Sequence, residues 1–456
     1  MTATVAGQDG PPRTATFAVA AGRLPGVGHT LAVLRNPLRF LCSLQRQADI
    51  VRVDLGPMST LFLTAPDLIN TMLVDRRDNF DKGRFYDKVR PLAGNGVVLA
   101  QGAEHRRQLA MIKPAFHRTQ LTGYTDVMHA VVEERIRDWR AGQTLAVDKE
   151  MHTITLCILA RTMFGAGIAA DTARELAELL PDVLKAIMVR TLDPGDVLAR
   201  LPLPMNRRFD TAHARLRAAI HRVMLSYQDG VTDGTDMLSM LLAARDERTG
   251  QPMTEDEICD QIVAVTMAGS ETAATAMTWM FHELARHPEV ERRVMDEVGD
   301  VLGDRRCTFA DVSKLPYCRR VLQEVLRLRQ PIMVISRRTT TEVPIGGGCL
   351  RAGAELFYSP YAVFRDPAHF PDPMRFDPDR WLTTPATNLP RGTYTPFGGG
   401  PRHCIGEHFA WAMMTVVLTE IVRRWRLRPA PGTRVREMPW ATINPSSMPM
   451  VATPAG

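Results

Sequence analysis

The stretch Phe397-Gly-Gly-Gly-Pro-Arg402-His-Cys404-Ile-Gly406 decides how this chain reads. A lone cysteine follows a run of glycines and precedes Ile405 to Val422, where apolar residues recur at helical spacing. Glycines let a backbone fold closely around a sulfur and aim N–H groups at it. A cysteine at a helix start feels the positive end of the dipole, which favours the thiolate. Phe397 can cover that sulfur, and Arg402 can reach an anionic group. The plainer alternative is a glycine-rich turn with a buried cysteine beside it.

Cys404 is one of seven cysteines, the others being Cys42, Cys157, Cys259, Cys307, Cys318 and Cys349. An odd count, wide spacing and no CxxC pair speak against a disulfide framework or a structural zinc site, and for a reducing cytoplasm. The other six read as small apolar residues. A 456-residue chain that is 45% apolar can bury a large core, and length alone suggests about three domains of roughly 150 residues. The formal charge of +6 is mildly basic. It suits an acidic protein partner, while no Lys/Arg run is dense enough to argue for nucleic acid. Residues 1–24, rich in Gly, Pro, Ala and Thr, read as a flexible arm, and 25–456 as the working body. The N-terminus lacks the basic-then-apolar pattern of a secretory signal. No stretch of about 18 apolar residues occurs, so no membrane anchor is expected.

Ile50 to Ala65 partly alternates, is rich in β-branched residues and carries Gly56-Pro57, a hairpin pattern. The middle of the chain is helical. Apolar spacings of three and four run through Glu104–Phe116, Thr125–Trp139, Ile154–Phe164, Asp171–Met188, Asp210–Tyr227 and Thr235–Arg245. Thr254-Glu-Asp-Glu257 is a capping box opening the longest pattern, which His287-Pro288 stops after Arg286. Helical spacing resumes at Glu289–Val301 and Lys314–Leu328. Residues 332–404 hold short β-like runs, Gly346-Gly347-Gly348 and many prolines, with enough apolar content to argue against disorder.

Two further segments bear on the cysteine loop. Glu324-Val-Leu-Arg327 places acid and base three apart on a helix, in isolation a common solvated pair. Between it and Cys404 comes Phe376-Asp-Pro-Asp-Arg380-Trp381. Ala268-Gly269-Ser270-Glu271-Thr272 interrupts the longest helix with residues that loosen its hydrogen-bond ladder. That suits either close helix packing or a local opening.

Together these segments resemble the cytochrome P450 superfamily. Phe397, Gly400, Arg402, Cys404 and Gly406 match its FxxGxRxCxG haem loop at every position. Glu324, Arg327 and Arg380 fall on its ExxR pair and the Arg of its FxPxRW segment, implying a buried structural triad. Ala268 to Thr272 match (A/G)Gx(D/E)T, which lies over the haem. The resemblance makes Thr272 the hydroxyl that steadies oxygen and Glu271 the proton relay; the second hydroxyl common next in the family is Ala273 here. His105 and Arg337 resemble propionate-binding residues, whereas Leu109 stands where a second propionate Arg is usual. The implied fold is mainly α with a minor β region, a single large α-rich unit with a long central helix over haem b.

The implied activity is that of a haem-thiolate monooxygenase, cytoplasmic and bound to no nucleic acid. Electrons are expected from a ferredoxin and an NAD(P)H-dependent reductase, because no GxGxxG or flavin segment follows Cys404. Arg106, Arg107 and Lys113 are candidates for a basic docking face. Members that isomerise, couple or use peroxide often lack the acid and threonine that Glu271 and Thr272 supply. Phe80–Leu92, Ala115–Thr119, Leu201–Phe209 and Tyr358–Pro367 resemble bacterial oxidases of cyclic terpenes of the pentalenene oxygenase type, so an apolar substrate is expected; fatty acids and macrolides are the alternatives. The expected pocket segments are Phe85–Leu99, Ala264–Ala268, Ile332–Ile335 and Asn444–Met448.

Overall fold

The computed structural model describes residues 15–165, Glu175, Leu179, Val183, 204–228 and 234–455. Two compact units emerge. The first takes Met1–Arg84, Val334–Pro373 and Ala386–His403; the second takes Phe85–Met333, Met374–Pro385 and Cys404–Gly456.

The first unit is built on a six-stranded sheet. Ile50–Leu55 and Met58–Leu63 form the antiparallel hairpin that their alternation predicts, with Ile50 opposite Leu63 and Leu55 opposite Met58. Phe17–Val19 runs parallel to this hairpin on one side, so a strand falls within the stretch read as an arm. On the other side Met58–Leu63 pairs in parallel with Glu355–Tyr358, followed by Ile335–Thr339 and Phe80–Asp81. Parallel neighbours need a long crossover. The irregular stretch after Pro331 therefore supplies the sheet's middle from far along the chain.

The second unit carries most of the helices. Gly102–Ile112, Arg118–Arg137, residues 147–165, Pro204–Gln228, Pro288–Leu302, Pro316–Leu328 and Glu407–Arg424 fall where apolar spacing predicts them. Of the pattern Asp171–Met188, only Glu175, Leu179 and Val183 lie among the described residues. The long helix is Glu255–Arg286. Its start is the reciprocal cap expected: Thr254 N donates to Glu257 Oε2 at 2.9 Å, and Glu257 N donates to Thr254 Oγ1 at 3.2 Å. It ends because His287 precedes a proline, which disfavours helical geometry there. Apolar on nearly every side, it is a core helix, with Ile262, Met277, Trp279 and Met280 fully buried. Among the described residues no helix is long and apolar enough to cross a membrane. Among the described residues no two of the seven cysteines are joined in a disulfide, and Cys349 is exposed, unlike the small apolar filler it was expected to be.

A short turn in this unit gives a pH-dependent expectation. Asp311 is buried and accepts from Thr308 N at 3.0 Å, Thr308 Oγ1 at 2.7 Å, Arg305 Nη2 at 3.0 Å and Lys314 Nζ at 3.3 Å. The Arg305 hydrogen bond, opposed by burial and reinforced by Thr308, holds its carboxyl far below the usual range. A folded pKa lowered below the unfolded value of about 3.9 gives stability that is full above that value and lost as pH falls through the folded one. Asp311→Asn is therefore expected to cost about 2 kcal/mol at pH 7. The gap should narrow in melts taken at pH 3, and a gap that widens instead would show that the carboxylate is not the stabilising form.

Candidate active site

Glu324 and Arg327, one helical turn apart on Pro316–Leu328, are both fully buried. Arg327 donates from Nε to Glu324 Oε2 at 2.9 Å and from Nη2 to Oε1 at 2.8 Å. Trp381 Nε1 donates to Oε2 at 3.0 Å and Asp377 N to Oε1 at 3.0 Å, while Arg380 Nε lies 3.5 Å from Oε1. The expected triad is thus brought together, but Arg380 is its longest contact. The indole of Trp381 and the amide of Asp377, unassigned from sequence, are the closer partners. Arg327 Nη2 also donates to Arg375 O at 3.2 Å, tying the segment before Cys404 to the helix. A buried charge is tolerated only when its lone pairs and protons are met, and here they are.

On the long helix, Thr272 Oγ1 donates to Ala268 O at 2.7 Å. The helix runs unbroken from Glu255 to Arg286, so of the two readings of this segment the local opening is not the one seen. The hydroxyl bonds back to the i−4 carbonyl within this continuous helix. Ala268 is nevertheless exposed, and Met267, Gly269, Glu271 and Thr272 are partly so, on a helix otherwise mostly buried. This is its open face.

The chain passes from the first unit into the second at the His403–Cys404 bond. Before it, Gly400 has a φ of +64°, and a Cβ there would lie 2.0 Å from Leu73 O. Only glycine fits such a position. Phe397 and Arg402 in this loop are half-buried. After it, Gly406 caps the helix Glu407–Arg424, with Cys404 Sγ and Phe116 at ordinary contact distance from where its Cβ would be. The Cys404 thiol is accessible, yet surrounded closely enough that burial pushes its pKa up; the Gly406 N–H lowers it and Glu407 raises it again. A coordinating metal ion deprotonates a thiol outright.

The first unit also gathers cations. Lys82 and Arg337 are 9% and 7% exposed. Burial, then the charges of Arg337 and Arg402, drive the Lys82 ammonium well below its usual range. A buried group of like cations is a receptor for anions, and the two propionates of a haem are anions of that kind. The donor set fits the group. Sequence reading named Arg337 and Arg402 but not Lys82, for which a lysine between Phe80-Asp81 and Gly83 was the only local signal. In the second unit His105 is buried on Gly102–Ile112, and Leu109 is half-buried. Arg107 is taken up by Glu104, at 2.9 Å, and by Glu257, while Arg106 on that helix and Lys113 just after it are exposed.

A family model for cytochrome P450 matches residues 20–449. The chain belongs to the cytochrome P450 family, the haem-iron monooxygenases that combine a small-molecule substrate with electrons from redox partners. It is 40% identical over 439 residues to cyclooctatin synthase of Streptomyces melanosporofaciens, covering 96% of this chain and 95% of that protein. It is also 40% identical over 444 residues to cyclooctat-9-en-7-ol 5-monooxygenase of the same species, covering 97% and 96%. Pentalenene oxygenase of Streptomyces avermitilis is 35% identical over 425 residues, covering 93% and 94%. The crystal structure of the cytochrome P450DA haem domain superposes with a TM-score of 0.86 over 97% of this chain and 99% of that one, at 22% identity.

Proposed function

We propose that this cytoplasmic enzyme oxidises a cyclic terpene, with residues 25–456 acting as one haem-thiolate monooxygenase domain. One atom of O2 enters a C–H bond and the other leaves as water. Two electrons come from NAD(P)H through a reductase and a ferredoxin, and two protons from solvent. In this reading Cys404 is the sulfur ligand, Phe397 covers it and Gly406 leaves it room. Arg402, Arg337, Lys82 and His105 would hold the propionates, and Ala268 would border the cofactor. Bound there, haem b supplies an iron whose thiolate ligation favours O–O cleavage. Thr272 presents a hydroxyl to oxygen, Glu271 carries protons, and Glu324, Arg327 and Arg380 brace the loop.

The observation that carries the substrate class is how the expected pocket segments of the second unit gather. Asn95 N donates to Asp260 Oδ2 at 2.7 Å and Val97 N to Gln261 Oε1 at 2.8 Å. A Cβ on Gly96 would stand 2.4 Å from Asp260 O, so the Phe85–Leu99 segment is pressed against the long helix. Ile443 N donates to Pro331 O at 2.8 Å, which brings the Ile332 and Asn444 segments together. Val97, Ala264, Val265 and Met448 of these segments are apolar and buried, the kind of side chain that suits a hydrocarbon skeleton. The terpene substrates in the names of cyclooctat-9-en-7-ol 5-monooxygenase and pentalenene oxygenase support the same class.

A ferredoxin is supported by a groove of about 710 Å³ in the second unit. Arg118, Arg319, Arg320 and His408 line it, with Trp411 of the helix that follows Cys404. Arg319 stacks 3.3 Å over the Trp411 ring. Such a surface attracts an acidic protein, with an on-rate that falls as salt rises.

Titration of the haem-loaded protein with cyclooctat-9-en-7-ol and with pentalenene is expected to give a low-to-high spin shift. No shift with either, alongside one from a fatty acid or macrolide, would overturn the terpene reading.

A further inference from the structure

We infer that Asn444 is a positioning residue for Glu271, holding by its side-chain amide the carboxylate through which protons reach the site. The inference rests on the reading of Glu271 as the proton relay.

Glu271, Thr275, Trp279 and Glu283 recur every fourth residue of the long helix and so share one face. Glu271, Thr275 and Trp279 are bonded to the strand Ile443–Pro445, and Glu283 to Arg329, which also reaches Glu437. Asn444 Nδ2 donates to Glu271 Oε1 at 2.8 Å, and Thr275 Oγ1 donates to Asn444 Oδ1. Trp279 Nε1 donates to Ile443 O at 3.1 Å. Arg329 donates to Glu283 at 2.7 Å and to Glu437 at 2.8 Å, beneath Trp279. Thr275 thus fixes which end of the amide meets the carboxylate, because its hydroxyl occupies the oxygen end. The bonds of Ile443 to Trp279 and Pro331 hold the backbone next to Asn444, so the amide cannot follow the carboxylate if it swings.

The donor is neutral, and its chemistry matters. A guanidinium in its place would bind the carboxylate strongly and favour only its ionised form. An amide fixes orientation while leaving the group able to gain and lose a proton. Among the described residues Glu271 makes no ion pair. Of the titratable groups on residues 147–165, His152 lies near Glu271; burial lowers its pKa against the pull of Glu271 and of Asp148, which accepts from Met448 N at 3.0 Å.

Asn444→Asp places a second carboxyl against Glu271, and two carboxyls this close share a proton. This variant is expected to gain, at neutral pH, a protonated-carboxyl infrared band that the double variant Glu271→Gln/Asn444→Asp lacks. No such band means the two side chains are not in contact, which overturns the proposal. Asn444→Ala, driven by NADPH through a surrogate reductase and ferredoxin with cyclooctat-9-en-7-ol as probe, is expected to release severalfold more peroxide per NADPH. If Glu271→Gln raises peroxide and Asn444→Ala does not, the positioning role is overturned. If Glu271→Gln leaves peroxide unchanged, the relay reading itself fails.

Discussion

Cys404→Ser protein is expected to fold and to lose oxygenation by more than about a thousandfold, equivalent to roughly 4 kcal/mol of transition-state stabilisation. Serine preserves the shape of the side chain and removes the electron-rich sulfur that makes iron cleave O–O bonds. The fold should tolerate the change. Gly406 rather than Cys404 caps the following helix, and the thiol is accessible instead of wedged in the core. The reduced carbonyl complex of the parent should show the red-shifted Soret band of thiolate ligation, and the variant should not. A variant that keeps the band, or more than a hundredth of the activity, would remove Cys404 from the metal. A melt within a few degrees of the parent separates lost ligation from lost structure.

The second large effect is structural. Glu324→Gln is expected to destabilise the chain by about 3–5 kcal/mol, the usual result of leaving a buried charge without its partner. That is a large fraction of the roughly 5–15 kcal/mol that holds a native protein together. Glutamine replaces one acceptor oxygen with a donor NH2, yet each oxygen of Glu324 already receives at least two donors. Arg327 would remain fully buried and charged against a like donor. Soluble yield and a thermal melt read the outcome directly. The paired replacement Glu324→Leu/Arg327→Met should cost less than Glu324→Gln alone, because removing both charges removes the penalty. A Glu324→Gln protein that melts like the parent would show that the network contributes nothing to the fold.

What the sequence made legible were features with a local period. The helices follow apolar spacings of three and four, and the cap at Thr254 follows from residues three apart. The ionic network was found because Glu324, Arg327 and Arg380 occupy recognisable positions. Harder to see were contacts across long separations. Nothing near Leu61 says that it lies beside Leu356 in a parallel pair, and nothing near Lys82 points to Arg337 and Arg402. Asn444 was read as part of a pocket wall, because an asparagine carries no mark of the carboxylate it will meet. At Thr272 the residues admitted two readings, close packing or a local opening, and only the folded helix separates them, by running unbroken from Glu255 to Arg286.

The four-residue stripe from Glu271 to Glu283 also limits how such a chain can diverge. Inserting or deleting one residue within it would turn everything beyond by about 100° around the helix axis. Glu283 would leave Arg329, or Glu271 would leave Asn444, while the apolar content of the helix hardly changed. Descendants of this sequence can therefore exchange residues between these positions, but the number of residues separating them is held constant.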